Sequence, residues 1–289
     1  MKEPLFTGVC TAMVTPFLDN RVNYPMMEQL LRRQAEAGIQ AVVIAGTTGE
    51  SATLSHDEKI ELFRRCKAFV GDRCKIIAGT GSNNTANAIA LSRDAEEAGA
   101  DGLLVVSPYY NKSTPEGLVA HYMAIAHAVS IPIILYNVPS RTGLDMPVSV
   151  YKRLSIVPNI AGVKEASTDI TKVARIANAC PPDFYIWSGN DDQTVPAMSL
   201  GGKGIISVLS NILPGETLDM ANAALAGDFD TASAIQCDLL PLIDLLFSEV
   251  NPIPVKEAMK LIGFDCGGCR LPLTNISKEN KLKLLRYFQ

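Results

Sequence analysis

Short apolar runs alternate with amphipathic stretches along most of the chain. Val9–Pro16, Gln40–Ala45, Lys75–Ala78, Gly102–Val106, Ile131–Val138, Ile160–Glu165, Phe184–Ser188 and Gly204–Leu209 read as eight strands. Helical spacing falls between them, near 24–37, 55–70, 85–98, 115–129, 147–154, 170–179 and 193–200. Ser55, followed three residues on by Glu58, has the form of a capping box and sets the start of the second helix. Strands this uniformly apolar are buried on both faces, which is the habit of parallel sheets with helical crossovers. Eight β-α units with short connections favour a closed (β/α)8 barrel, a TIM barrel, over an open doubly wound sheet.

Beyond Pro214 the strand pattern stops. Helices are expected near 215–226, 230–247, 254–262 and 278–287. The chain therefore divides into a barrel over 1–213 and a C-terminal helical region over 214–289. No long linker separates them, so the second should pack on the first.

Alternation within the strands locates candidate chemistry. Ile160, Gly162 and Lys164 share one parity, and Ala161 and Val163 the other. Placing Ala161 and Val163 under the outer helices sends Lys164 into the barrel, with Gly162 leaving space below it. The same reasoning turns Ile134 and Tyr136 inward. A lysine in such a place is costly unless it is paired, neutral or in use. A neutral amine is a nucleophile towards carbonyls and forms Schiff bases. The alternative is a structural lysine paired with Glu50 or Glu165.

Composition narrows the classes. With 289 residues, 47% of them hydrophobic, the chain can bury a large core. A net charge of −4 gives no argument for nucleic acid or an anionic membrane as partner. The start, Met1-Lys-Glu-Pro-Leu5, lacks the apolar core of a signal peptide, and no apolar run has the length of a membrane span. A cytoplasmic location is expected, with the seven cysteines as reduced thiols. Cys266-Gly-Gly-Cys269 has CxxC spacing, but it stands without a second pair or neighbouring histidines.

Three further motifs follow strands. Gly46-Thr-Thr-Gly-Glu50 is either an ordinary βα loop or a turn whose amides bind a carboxylate, with Glu50 holding the loop. Tyr109 and Tyr110 follow the fourth strand as a hydroxyl relay or as packing. Arg141, on the loop after Tyr136, suits a substrate carboxylate or a surface ion pair. Thr47, Tyr110, Tyr136, Arg141 and Lys164 all fall at the C-terminal ends of strands, the catalytic face of this barrel type.

These motifs together, with Tyr136-Asn-Val-Pro-Ser-Arg-Thr-Gly143, Gly162-Val-Lys-Glu-Ala166, Asn251-Pro-Ile-Pro-Val-Lys256 and Arg270-Leu-Pro-Leu273, resemble the dihydrodipicolinate synthase family. The similarity runs in order from about Thr7 to Ile276. The resemblance implies a lysine Schiff-base lyase that condenses pyruvate with L-aspartate 4-semialdehyde in lysine biosynthesis, with no metal or organic cofactor. It implies that Lys164 is the nucleophile. Tyr136 would relay protons, linked through Thr47 to Tyr110, which reaches into the neighbouring subunit of a homotetramer. It assigns the pyruvate carboxylate to the amides of Thr47 and Thr48, the semialdehyde carboxylate to Arg141, and the pyruvate pocket wall to Gly189 and Ile206. Sister lyases acting on N-acetylneuraminate or keto-sugar acids share the lysine and tyrosine, and would be expected to lack the arginine of the Val138–Gly143 loop.

In lysine-regulated relatives, lysine binds at positions matching Ser51, Ala52, His56, Lys59, Asn83, Asn87 and Tyr109. Asn87 stands where that pattern has a glutamate, and Lys59 where it has a histidine. Losing the acid removes a partner for the ligand's ammonium, and Lys59 adds repulsion. Inhibition by lysine is therefore expected to be weak or absent.

Overall fold

The computed structural model describes residues 2–289. Its strands are β1 (Gly8–Ala12), β2 (Phe17–Leu18), β3 (Arg21–Val22), β4 (Ala41–Ile44), β5 (Lys75–Gly79), β6 (Gly102–Val106), β7 (Ile133–Asn137), β8 (Ile160–Glu165), β9 (Tyr185–Ser188) and β10 (Gly204–Ser207). Eight of them close into a parallel barrel in the order β1-β10-β9-β8-β7-β6-β5-β4. The fold class expected from the apolar runs is thus observed. The antiparallel ribbon β2–β3 lies outside the barrel.

The helices are α1 (Tyr24–Glu36), α2 (His56–Val70), α3 (Thr85–Glu97), α4 (Pro115–Ala126), α5 (Pro139–Thr142), α6 (Val148–Leu154), α7 (Thr171–Ala179), α8 (Thr194–Ser199), α9 (Pro214–Leu225), α10 (Phe229–Leu246), α11 (Ile253–Leu261) and α12 (Lys278–Tyr287). Helix α2 starts where its capping box dictates: Ser55 Oγ accepts from Glu58 N at 3.2 Å, and Glu58 Oε2 accepts from Ser55 N at 2.9 Å. Helix α9 packs on β1 and against α8, while α10 packs on α9 and meets α11 and α12. No helix among the described residues is long and apolar enough to cross a membrane.

Two apolar layers result. The larger lies between strands and outer helices. The smaller fills the barrel with Cys10, Ala12, Ala41, Val43, Ile77, Leu104, Ile134, Trp187 and Ile206. The chain's beginning seals the base. Phe6 stacks on Trp187 at 5.0 Å between ring centroids, and Lys2 Nζ donates to the carbonyls of Ser155, Val157 and Ile160.

One expectation about facing is corrected. Ile160 belongs to the outer layer with Val163, not to the barrel interior. Pairing between β7 and β8 shifts between Ile133 and Ile134: Ile133 pairs with Ile160, but Ile134 pairs with Gly162. One residue, Ala161, is consumed in the irregularity, so strict alternation fails there. Beyond it, Tyr136 pairs with Lys164 and Asn137 with Glu165. Gly162 has to be glycine, because a Cβ there would come within 1.9 Å of the Tyr185 carbonyl oxygen.

Candidate active site

Lys164 sits on β8 near the C-terminal end of the barrel and is 5% exposed. Its Nζ lies 4.5 Å from the centroid of the Tyr136 ring. No described carboxylate lies within ion-pairing distance of it. Both acids offered as structural partners are engaged elsewhere. Glu50 pairs with Lys256 at 2.6 Å, and Glu165 bonds to Asn137 at 2.9 Å. Lys164 is buried with no carboxylate at ion-pairing distance and is packed against a phenol.

Gly189, just past β9, shapes the space beside the amine. A Cβ there would stand 2.9 Å from Lys164 Cε and 2.6 Å from Ala166 Cβ. Only glycine lets this turn pack so closely against the lysine stem. Ile206, fully buried on β10, is part of the same interior cluster as Tyr136.

The Gly46–Glu50 loop is tightly held after β4. Ala45 and Glu50 both adopt left-handed backbone, with φ of 53° and 56°. Thr15 Oγ1 donates to Gly49 O at 2.7 Å. The buried Glu50 carboxylate accepts from Lys256 Nζ at 2.6 Å and from Arg270 N at 2.9 Å. Lys256 donates also to Gly268 O at 3.0 Å. The C-terminal region thereby grips the loop that carries Thr47 and Thr48, and Glu50 is its anchor.

Asn251 makes a second link from the same region. Its Nδ2 donates to Thr48 Oγ1 at 2.9 Å, and its backbone carbonyl accepts from Arg141 Nη2 at 3.2 Å. Asn251 Oδ1 is buried with no partner. Arg141, on α5, is exposed and has no carboxylate partner among the described residues, so the surface ion pair is not formed. In the sequence, Asn251 stands out only as a member of the Asn251–Lys256 motif. Its contacts reach back 203 and 110 residues, and no local pattern signals them.

One cavity of about 700 Å³ joins Thr47, Tyr136, Arg141 and Asn251 to Ser51, Ala52, His56, Lys59, Asn87 and Tyr109. Six of the seven positions matched to the lysine site therefore line the same space as the barrel mouth. Asn83 is outside the lining, where its carbonyl accepts from Asn111 Nδ2 at 2.9 Å. His56 Nε2 lies 2.7 Å from Asp94. Burial holds the Lys59 ammonium below the usual lysine range, and no described acid pairs with it. Tyr110 is not drawn into this space. It is 92% exposed, with a left-handed φ of 69°, and is not among the residues that line the cavity.

Cys266 is buried and Cys269 half-buried. Burial pushes the first thiol up to about 12 and the second to about 11, which disfavours the thiolate that metal binding or disulfide exchange requires.

Residues 5–289 match the sequence model of the Dihydrodipicolinate synthetase family. The chain is 51% identical over 279 residues to the 4-hydroxy-tetrahydrodipicolinate synthase of Caldicellulosiruptor saccharolyticus, covering 96% of this chain and 94% of that one. The crystal structure of dihydrodipicolinate synthase from Aquifex aeolicus superposes with a TM-score of 0.96 at 41% identity, covering 98% and 97% of the two chains. That of the Cyanidioschyzon merolae enzyme with lysine bound gives 0.95 at 42% identity, with the same coverage of each chain.

Proposed function

The chain belongs to the dihydrodipicolinate synthetase family, and on that premise we propose that it is a 4-hydroxy-tetrahydrodipicolinate synthase, a lyase that joins pyruvate to L-aspartate 4-semialdehyde. The observation that carries the reading is the unpaired, buried Lys164 facing Tyr136 across two paired strands.

The Lys164 amine adds to the ketone carbon of pyruvate. Loss of water gives an imine, with Tyr136 relaying protons to the departing oxygen. The amides of Thr47 and Thr48 hold the pyruvate carboxylate, in the space bounded by Gly189 and Ile206. Loss of a methyl proton converts the imine to an enamine, whose carbon attacks the aldehyde of the second substrate. Arg141 holds that substrate's carboxylate by a charge-assisted contact. The substrate's own amine then attacks the imine carbon, closes the ring and releases Lys164.

Tyr110 fits this scheme as a contribution to a neighbouring subunit. An exposed tyrosine on a left-handed turn beside the barrel mouth can complete the Thr47–Tyr136 relay of a second copy in a homotetramer built from tight dimers. We place the enzyme in the cytoplasm, where its buried cysteines stay reduced. The cavity extension around Lys59 and Asn87 is a lysine site that has lost its acid, and we propose that lysine inhibits weakly or not at all.

Borohydride reduction with pyruvate tests the centre of this reading. A stable adduct should map to Lys164 by mass. An adduct elsewhere would remove the mechanism. Pyruvate offered with aspartate semialdehyde should turn over, and pyruvate offered with sugar aldehydes should not. The reverse preference would make the protein a sugar-acid lyase.

A further inference from the structure

Behind the Lys164–Tyr136 pair, on the outer face of the same two strands, lies a second pair. Asn137 and Glu165 each follow one of the inward residues, and they are partners in the strand register. Both are buried. Asn137 Nδ2 donates to both Glu165 oxygens, at 2.9 and 3.1 Å, and to Asp145 Oδ1 at 2.9 Å. Asn137 Oδ1 accepts from Met146 N at 3.0 Å. Glu165 accepts also from Tyr151 OH at 3.2 Å and from Ser167 N at 2.8 Å. Lys172 pairs with Asp145 at the edge of this group.

The group matters because the register is not the one the lower half of the strands would give. Had the pairing of Ile133 with Ile160 run on unshifted, Tyr136 would stand opposite Val163, and Lys164 opposite the outward-facing Asn137. A slip of one residue exchanges the two faces of a strand. The shift at Ala161 prevents this, and a bulge needs something beyond it to hold the regained alignment. Only in the observed register does the Asn137 amide meet the Glu165 carboxylate. In any other, a buried carboxylate would lose a donor, at high cost in a dry interior.

We propose that Asn137 and Glu165, braced by Tyr151, form a clamp that holds Tyr136 and Lys164 in reacting alignment. They are positioning residues. This rests on the assignment of Lys164 and Tyr136 as the imine-forming pair. Neither clamp residue touches the substrate space, so loosening them should misplace the amine against the phenol while leaving the carboxylate-holding loop and Arg141 as they are.

The test uses the full chain, with borohydride trapping to count imine-forming sites. In Glu165→Ala, kcat per trappable site should fall about 100-fold, the cost of misplacing reacting groups by roughly 1 Å, with the pyruvate KM changed less than about threefold. Glu165→Gln keeps an acceptor for Ser167 and Asn137 but loses charge assistance, and should return to within about tenfold of the parent. Two results would overturn the clamp: an unchanged kcat in Glu165→Ala, or a fall that matches the loss of trappable sites, which would mean a purely structural role. Should Glu165→Ala not fold, Tyr151→Phe decides, since it keeps the ring and removes one donor. A severalfold drop in kcat at full trapping supports the clamp, and an unchanged kcat overturns it. The unaltered protein separates this proposal from its premise. If pyruvate labels no Lys164 there, both fail. If labelling is complete and the variants are indifferent, only the clamp fails.

Discussion

Lys164 and Lys256 are almost equally withdrawn from solvent, at 5% and 3% exposure, yet their surroundings are opposites. Lys256 has a carboxylate at 2.6 Å, a carbonyl at 3.0 Å and the Phe17 ring beneath it. Lys164 has one phenol ring and no acid at ion-pairing distance. A buried lysine with its hydrogen bonds answered is part of the scaffold. One left without them is the candidate for chemistry. Burial alone does not tell the two apart; the ion-pair and hydrogen-bond partners do. Lys172, equally buried and paired with Asp145, falls on the scaffold side.

The sharpest way to break this comparison is to remove each lysine in turn. Lys164→Ala should lose about three or more decades of turnover, the scale on which nucleophiles are missed. Its thermal midpoint should stay level or rise, because an unpaired buried group has been deleted. A large fall in midpoint would make Lys164 structural after all. Lys256→Ala should do the reverse. Stranding the Glu50 carboxylate costs about 3–5 kcal/mol, visible in the urea midpoint, with a raised pyruvate KM as the Thr47–Thr48 loop loosens. Lys256→Met with Glu50→Gln should recover much of that stability, because a pair replaced on both sides leaves no buried charge alone.

Arg141 extends the contrast to the rim, where a cation is exposed but equally without an acid. Arg141→Ala should raise the KM for aspartate semialdehyde by about one to two decades, the equivalent of roughly 1.5–3 kcal/mol for a charged hydrogen bond, and barely alter that for pyruvate. Equal effects on both substrates would contradict its role. Lys59 is another lysine without an ion-paired acid, and here repulsion is the expected consequence. Asn87→Glu, with Lys59→His, should strengthen inhibition by lysine about tenfold or more in a steady-state assay. Sub-millimolar inhibition of the unaltered enzyme would refute the reading of that site.

His121 gives the smallest effect. Burial lowers its pKa from 6.5 to about 4, so the folded state keeps the ring neutral. Between those values the unfolded chain binds the additional proton, and stability should fall as pH drops through that window. His121→Gln should flatten the slope of midpoint against pH between 6.5 and 4. An unchanged slope would assign it to other groups.

The difference between what could and could not be read in advance has a physical basis. Gly102–Val106 and the first four residues of Ile160–Glu165 were legible because a strand buried on both faces is apolar along its length, and Lys164 stood out as the exception to that run. The β2–β3 ribbon is two residues on each side and leaves no periodicity to detect. Ile160 faces the outer layer because a bulge at Ala161 interrupts an alternation that sequence alone presents as unbroken. Lys164, Tyr136 and Arg141 could be singled out because each sits where a strand ends. Asn251 and the Asn137–Glu165 pair could not, since their significance lies in partners that only folding brings near.

The sealed base of the barrel sets rules of traffic. Phe6 and Trp187 are stacked across one end and Lys2 is fastened beneath, so among the described residues that end is filled, and the proposed chemistry works from the other. On the proposed function, pyruvate would then lead and the semialdehyde follow. A crowd of the second compound at the threshold would delay the first, and the cyclised product has to leave before the next pyruvate can enter.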